Sequence, residues 1–549
     1  MNDNISKRIK EILYDYVSVK STTYTADEKN ATKYLTELFK AMDYFRENPD
    51  KYGTLEIEGD PFDRSVFYGM VRGKGNRTVV MIHHYDVVDV EDFKLMKDMA
   101  YSPDELEASL MKIRGSFSDE ARTDMESEEF MFGRGTADMK GGGAIQIALL
   151  EAFSQQQEPQ GNLIVLAVPD EENASAGMLA GVGLLRELKQ KHGLEYLMMI
   201  NSEPHQRKHP DRGVFSTGTV GKIMPFVYVR GYLSHVGKVF EGFNPVGLMN
   251  EIVRRTELNM DFADSIEGEC SPPPTWLSLK DSKTHYDVSM PLSISGFFSV
   301  LTLTKTPTEI MDMLRGICEE AFDHVIASMN ESYECFCREA EPVVKHLPWK
   351  KDVMDFSRLY ERACSENERF AADFAEYSRQ VAGMIKEGGI DTSDGNLKLV
   401  EFMFDYISDM SPCVVFGIIP PFYPSVWEGA DYCAGSSGRL AEHLQNFTKE
   451  QFGQEYEKEL FYTGICDLSY SGTGNYERIE EMLRNNMPFF GSFYSIPFED
   501  ISEISMPCIN IGPWGKDFHK LTERVSRQDL FCRTPAILEE AINTLLIQK

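Results

Sequence analysis

Gly133-Arg134-Gly135-Thr136-Ala137-Asp138-Met139-Lys140-Gly141-Gly142-Gly143 sets one carboxylate in a glycine-rich turn between an apolar run and a helix. The run before it, Glu129-Phe130-Met131-Phe132, reads as a short strand, and Ala144 to Leu150 after it has the Ala/Leu content and apolar spacing of a helix packed on a core. Glycines serve where the backbone turns tightly or approaches another group closely. A dinucleotide fingerprint wants glycine three residues after Gly135, and Asp138 stands there instead, where it would repel a pyrophosphate. An aspartate fixed at a strand end can offer its two oxygens to two cations. Asp138 is therefore the candidate bridge.

The rest of the chain allows this chemistry and narrows its setting. At 549 residues with 42% hydrophobic content, the chain is long enough for two domains or more, each with its own core. Lysine and arginine total 56 against 87 aspartates and glutamates, so the net charge of −31 disfavours nucleic acid and anionic membrane as partners. The ten cysteines are scattered, and Cys335-x-Cys337 lacks the second pair that a zinc cage requires. Free thiols in a reducing cytosol are the simpler account. The start, Met1 to Lys7, leads into an amphipathic helix, and no apolar run reaches membrane-spanning length. The expectation is a soluble cytoplasmic protein.

Three further stretches repeat the pattern of a strand ending in candidate site chemistry. Thr78 to Ile82 runs into His83-His84-Tyr85-Asp86, with His84 as candidate ligand, Asp86 as its orienting carboxylate and His83 turned to the opposite face. Asn162 to Val168 runs into Asp170-Glu171-Glu172, three carboxylates that are costly together unless a cation or proton relieves them. Tyr196 to Ile200 leads to Glu203, while a last sheet signal, Met506 to Gly512, is followed by Pro513 to Glu523. The ends of strands in a βαβ series are where open α/β sheets build their sites. Residues 91–128 are acidic and helix-prone and read as a surface insertion without site residues.

After Arg212 the texture changes. Gly218 to Arg230 and Phe297 to Thr304 alternate like antiparallel strands, with a helix from Val246 capped by Asn244-Pro245. The expected class is α/β: a mixed, largely parallel sheet flanked by helices, with an inserted α+β domain. The expected boundaries are 1–212 plus 400–549 for the sheet domain, 213–345 for the insert, and 346–399 as a helical extension without a firm place. Pro412 to Ile419 and Leu460 to Cys466 read as returning strands.

With these pieces assembled, the chain resembles the co-catalytic metallopeptidases and amidohydrolases that include aminoacylase, carboxypeptidase G, acetylornithine deacetylase and the cytosolic dipeptidases. The resemblance rests on His84 to Val88, Gly133 to Gly142, Asp170 to Glu172, Glu203, Gly231 to His235 with Asn244, and Gly512 to Glu523. The chain's length and its Lys516 to Arg524 ending are most similar to the RocB type associated with arginine utilisation. The resemblance implies a zinc-peptidase-like fold whose inserted domain serves as a lid and homodimer interface. It also implies a hydrolase acting on a small dipeptide or N-acyl amino acid. One metal would be held by His84, Asp138 and Glu203, the other by Asp138, Glu172 and His519; zinc is usual, with cobalt or manganese as alternatives. Glu171 would be the general base, Asp86 would orient His84, and His235 would reach a neighbouring subunit's site to stabilise the oxyanion. Leu303-Thr304-Lys305 stands where many relatives carry Asp-x-Arg for the substrate carboxylate. The competing reading is a metal-binding or regulatory protein of arginine metabolism with the same fold and no turnover.

Overall fold

The computed structural model describes residues 3–340, 346–427, 429, 436–474 and 476–547. The chain divides into two compact units, the first built from Met1–Val220, Pro424–Gly474 and Pro497–Lys549, the second from Gly221–Tyr423 and Asn475–Ile496.

The first unit is a helix-flanked sheet. Eight strands run in the order Tyr52–Glu56, Ser65–Arg72, Gln160–Val168, Lys74–His84, Glu195–Asn201, Cys508–Asn510, Arg212–Ser216 and Glu455–Glu459. The sheet is mixed: Gln160–Val168, Lys74–His84, Glu195–Asn201 and Cys508–Asn510 pair in parallel, and Ser65–Arg72 joins antiparallel at one side. Val79 to Ile82 and Leu163 to Val168 are fully buried, as continuous apolar strands covered on both faces should be. The opening helix Asp3–Ser18 buries Ile9, Ile12, Leu13, Tyr16 and Val17, the spacing of one apolar stripe, each side chain worth about 1.5–3 kcal/mol. Its C-terminal carbonyls are satisfied by Lys140, whose ammonium donates to Val19 at 2.6 Å and Tyr16 at 3.3 Å.

The helix that follows Asp138, Lys140–Ser154, is buried along nearly its whole length and packs into this sheet. That packing explains its three glycines. A Cβ on Gly141 would stand 2.2 Å from the Thr136 carbonyl oxygen, one on Gly142 2.3 Å from that of Ser202, and one on Gly143 2.5 Å from the His83 ring. The glycines here serve helix-to-strand approach.

The second unit carries a five-stranded sheet in the order Thr275–Asp281, Ser293–Thr302, Gly221–Arg230, Cys413–Tyr423 and Val353–Asp355. It is larger than the segment 213–345 expected from sequence. The helices Phe356–Glu366, Phe370–Lys386 and Thr392–Met403 belong to it because Leu359, Phe370, Val381 and Leu399 share one core with Phe226 and Val415 of its sheet. The strand Arg212–Ser216 stays with the first unit, pairing in parallel with Glu455–Glu459. The strand expected over Leu460 to Cys466 is instead irregular chain after Glu455–Glu459, because its main-chain partners are the non-strand residues Gly218 and Val220, both bonded to Tyr462.

Gly142→Ala is expected to destabilise the protein by about 1–3 kcal/mol, since the methyl would run into the Ser202 main chain and its Cβ, neither of which is the free end of a flexible side chain. Gly183→Ala, also helical but with Asp500 Oδ2 at 3.7 Å as its sole close neighbour, is expected to be neutral or to gain up to about 1 kcal/mol. Thermal or denaturant unfolding of the two variants checks the contrast; equal effects would count against the close helix-to-strand packing.

Candidate metal centre

Three adjacent parallel strands deliver the first donors to one edge of the sheet. Lys74–His84 ends on His84, Gln160–Val168 is followed by Asp170 to Glu172, and Glu195–Asn201 by Glu203. A separate three-stranded sheet, Gly515–Lys516 with Arg524–Ser526 with Phe130–Phe132, brings in the other two. It places Asp138 just beyond one strand and His519 in the turn between the other two.

The five residues converge. His84 Nε2 lies 3.1 Å from Asp138 Oδ1 and 3.4 Å from Glu203 Oε1. His519 Nε2 lies 3.2 Å from Asp138 Oδ2 and 3.1 Å from Glu172 Oε1. The two oxygens of Asp138 thus face two different imidazoles. Glu171 Oε2 stands 3.9 Å from His84 Nε2, near enough that ligand-capable atoms of His84, Glu171 and Glu203 all fall within 4.8 Å of one another, as do those of His84, Asp138 and Glu172.

Asp86 works differently from the sequence expectation. His84 Nδ1–H donates to the Asp86 main-chain carbonyl at 2.9 Å, while the Asp86 carboxylate stands 3.5 Å away. That carboxylate accepts the Glu171 and Glu172 amides instead, each at 3.2 Å. One residue therefore orients the histidine through its backbone and the glutamate turn through its side chain. His83 faces the other way, its Nδ1 3.0 Å from Gln146 and its Nε2 3.3 Å from the Tyr16 hydroxyl.

The electrostatics are those of a site short of positive charge. Burial, with Glu203, Glu172 and Asp467 nearby, pushes the Glu171 carboxyl well above its ordinary range despite His84. Burial also raises Glu172, and it pushes Glu203 to about 7 against the pull of His84. Asp138 is the exception: hydrogen bonds from His519 and His84 outweigh its burial and hold it below the usual range. Crowded, buried carboxylates with two imidazoles are the oxygen and nitrogen donor set of a divalent cation site, and such a cation would relieve the cost of burying them. The residues fit one.

The centre opens into a cleft of about 850 Å³ within the first unit. Its walls include Arg207, Trp514, Tyr462 and Lys516. Arg207 is held by Asp529 and lies over the Trp514 ring at 4.3 Å; Lys516 pairs with Glu120 at 2.9 Å and Asp124 at 2.8 Å. The segment 91–128 is therefore more than a surface insertion, because Glu120 lines the cleft and buried Asp124 also binds Arg524 at 2.7 Å.

His235 lies in the second unit, exposed, with Nδ1 accepting the Gly237 amide at 3.0 Å, an arrangement that puts the proton of the neutral ring on Nε2. Lys305 is committed to the Asp261 and Ala263 carbonyls at 2.7 and 2.6 Å, so this position closes a loop rather than presenting a free cation.

Two supporting residues escaped the sequence reading. Glu523 marks the end of a recognised motif, but nothing in its spacing announces that its carboxylate takes the Gly135 amide at 2.8 Å. Arg64 sits in a loop without any motif, yet it binds Asp170.

Comparison with known proteins matches this architecture. A model of peptidase family M20/M25/M40 matches residues 84–475. The chain is 32% identical to YqjN of Bacillus subtilis (strain 168) over 560 residues, covering 100% of this chain and 98% of that one. It is 29% identical to RocB of the same organism over 562 residues, covering 99% and 96%. Among solved structures, it is similar in fold to aminopeptidase PepT from Bacillus cereus, with a TM-score of 0.53, 12% identity and 98% of each chain covered. It is likewise similar to the di-peptidase Dug1p from Saccharomyces cerevisiae, with a TM-score of 0.54, 11% identity and coverage of 100% of this chain and 97% of that one. By the extent of the family match and of the full-length relatives, this chain belongs to peptidase family M20/M25/M40.

Proposed function

We propose that this protein is a di-metal hydrolase that cleaves the amide bond of a small dipeptide or N-acyl amino acid. The observation that carries the reading is Asp138, whose two oxygens point at His84 and His519 from one part-buried position. One ion would be held by His84, Asp138 and Glu203, the other by Asp138, Glu172 and His519, with zinc as the first choice and cobalt or manganese as alternatives. When bound, two such ions supply polarisation of the scissile carbonyl and a lowered pKa for water. The residue likeness to RocB supports arginine derivatives among the first substrates to try.

The chain's own groups divide the remaining work. Glu171 stands beside the ligands, and burial raises its carboxyl, so its ionised carboxylate is a stronger base than that of a free glutamate, which suits a group that takes a proton from attacking water and hands it to the leaving amine. Asp86 fixes the Glu171 and Glu172 amides, so the two side chains diverge from one anchored turn. His235 presents an Nε2–H donor, which suits an oxyanion contact across a homodimer formed through the second unit. A non-catalytic metal protein would have no need for Glu171 beside an already sufficient donor set, and this favours turnover.

Chelator-treated protein should lose hydrolysis of dipeptides and N-acyl amino acids and regain it on adding Zn²⁺, Co²⁺ or Mn²⁺. Glu171→Gln should keep the metal but lose roughly 100–10,000-fold in kcat. Activity that survives the substitution within a few-fold would remove Glu171 from the proton path.

The role of His235 is tested by mixing. His235→Ala and Glu171→Gln should each be nearly inactive alone, whereas subunits unfolded and refolded together should recover about a quarter of wild-type activity on random two-chain assortment. Demonstrated heterodimers without recovery would rule out action across the subunit boundary.

A further inference from the structure

The turn that carries Glu171 and Glu172 is held from below by a group that plays no part in the chemistry above. Asp170 sits at φ +68°, a left-handed conformation that a non-glycine residue keeps only when its surroundings over-determine it. Its surroundings do. The Asp170 amide donates to Glu28 Oε2 at 2.9 Å, and its carboxylate accepts from Arg64, from Asn173 at 3.2 Å and from the Ala176 amide at 3.1 Å. Its carbonyl accepts three further amides, those of Asn173, Ala174 and Ser175.

Arg64 is the centre of this arrangement. Its side chain is 2% exposed and its partners Glu28, Asp60 and Asp170 are 0–2% exposed. One guanidinium nitrogen serves both Glu28, at 2.9 Å, and Asp170, while Nε and the other terminal nitrogen serve Asp60 at 3.0 and 2.6 Å. Three buried carboxylates share one fixed cation. A planar fork can meet such a set and a single ammonium cannot. The same turn is held from the other side by Asp86, whose carboxylate takes the next two amides.

We propose that Arg64 is a positioning residue of the metal centre: through Asp170 and Glu28 it fixes the turn from which Glu171 and Glu172 project, and so sets the separation between the proton carrier and a metal ligand. This rests on the function proposed above and extends it to a residue that touches neither substrate nor ion. Without the guanidinium, Asp170 loses its counter-charge and the reason to hold its left-handed conformation, and a displacement of about 1 Å at a reacting group costs on the order of 100-fold in rate. The cleft wall at Trp514 and Tyr462 stands on other segments, so substrate binding should survive.

The test compares Arg64→Lys with Leu35→Ala, a core variant at a fully buried helix position remote from the turn in sequence, chosen for a similar fall in Tm. Arg64→Lys should lose about 10–100-fold in kcat with KM within about threefold of wild type. Co²⁺ titration of the metal-free protein should show one of two ions weakened and the visible spectrum of the cobalt form altered. Leu35→Ala should change none of these. If Arg64→Lys does not fold, Asp60→Asn, which loosens the guanidinium from the side away from the turn, should show the same pattern at smaller amplitude. Unchanged kcat and an unchanged cobalt spectrum in a folded Arg64 or Asp60 variant would overturn the proposal, as would equal losses in Leu35→Ala. A wild-type protein that binds Co²⁺ but hydrolyses nothing would sink the hydrolase reading alone, because the cobalt comparison still decides the role of Arg64.

Discussion

The centre depends on Glu523, a fully buried carboxylate that ties two distant parts of the chain together. One of its oxygens takes the amides of Gly135 at 2.8 Å and of Ala137 and Asp138 at 3.4 Å, and the other is paired with the buried Arg134 guanidinium. The loop that presents Asp138 is thereby fastened to the segment that carries His519, two residues after Asp517, which Arg524 holds in turn. Burial pushes the Glu523 carboxyl to about 7 even beside Arg134. Removing one partner of such a buried pair strands the other and costs about 3–5 kcal/mol. The pair is a constraint on geometry more than a source of stability.

Around that fastening, the sheet edge gathers more negative charge than it can hold unaided. His84, Glu171, Glu172 and Glu203 arrive on neighbouring parallel strands, so their convergence follows from strand order rather than from sequence proximity. Arg64 neutralises Asp170 on one side of the turn, and the imidazoles lower the cost for Asp138 on the other. The glutamates between them are only partly compensated by the imidazoles, and burial still raises all three. An anionic pocket of this kind is a poor place for a nucleotide phosphate and a good one for divalent cations, the conclusion already suggested by an aspartate in place of the third glycine.

Much of this was legible in the chain itself. The continuous apolar runs ending in His84, Asp170 and Glu203 gave strands and donors together, because a buried parallel strand has few ways to end in charge other than at a site. The three glycines after Lys140 signalled close approach, although only the structure says to what. What escaped were contacts between segments far apart in sequence: Arg64 with Asp170, Glu523 with Gly135, Asp124 with Arg524. A lone charged residue in a loop has no periodicity to read. The helices of 356–403 were visible as helices, but their place on the second sheet depends on aromatic packing that no local pattern encodes.

The account turns on one carboxylate serving two ions. Titration of the metal-free protein with Zn²⁺ or Co²⁺, read by calorimetry and by metal analysis, tests this most directly. Wild type should take up two equivalents per chain, and Asp138→Ala, with the fold intact by circular dichroism, should lose high-affinity binding of both. An Asp138→Ala protein that still binds two ions tightly, or a wild type that never binds more than one, would contradict it.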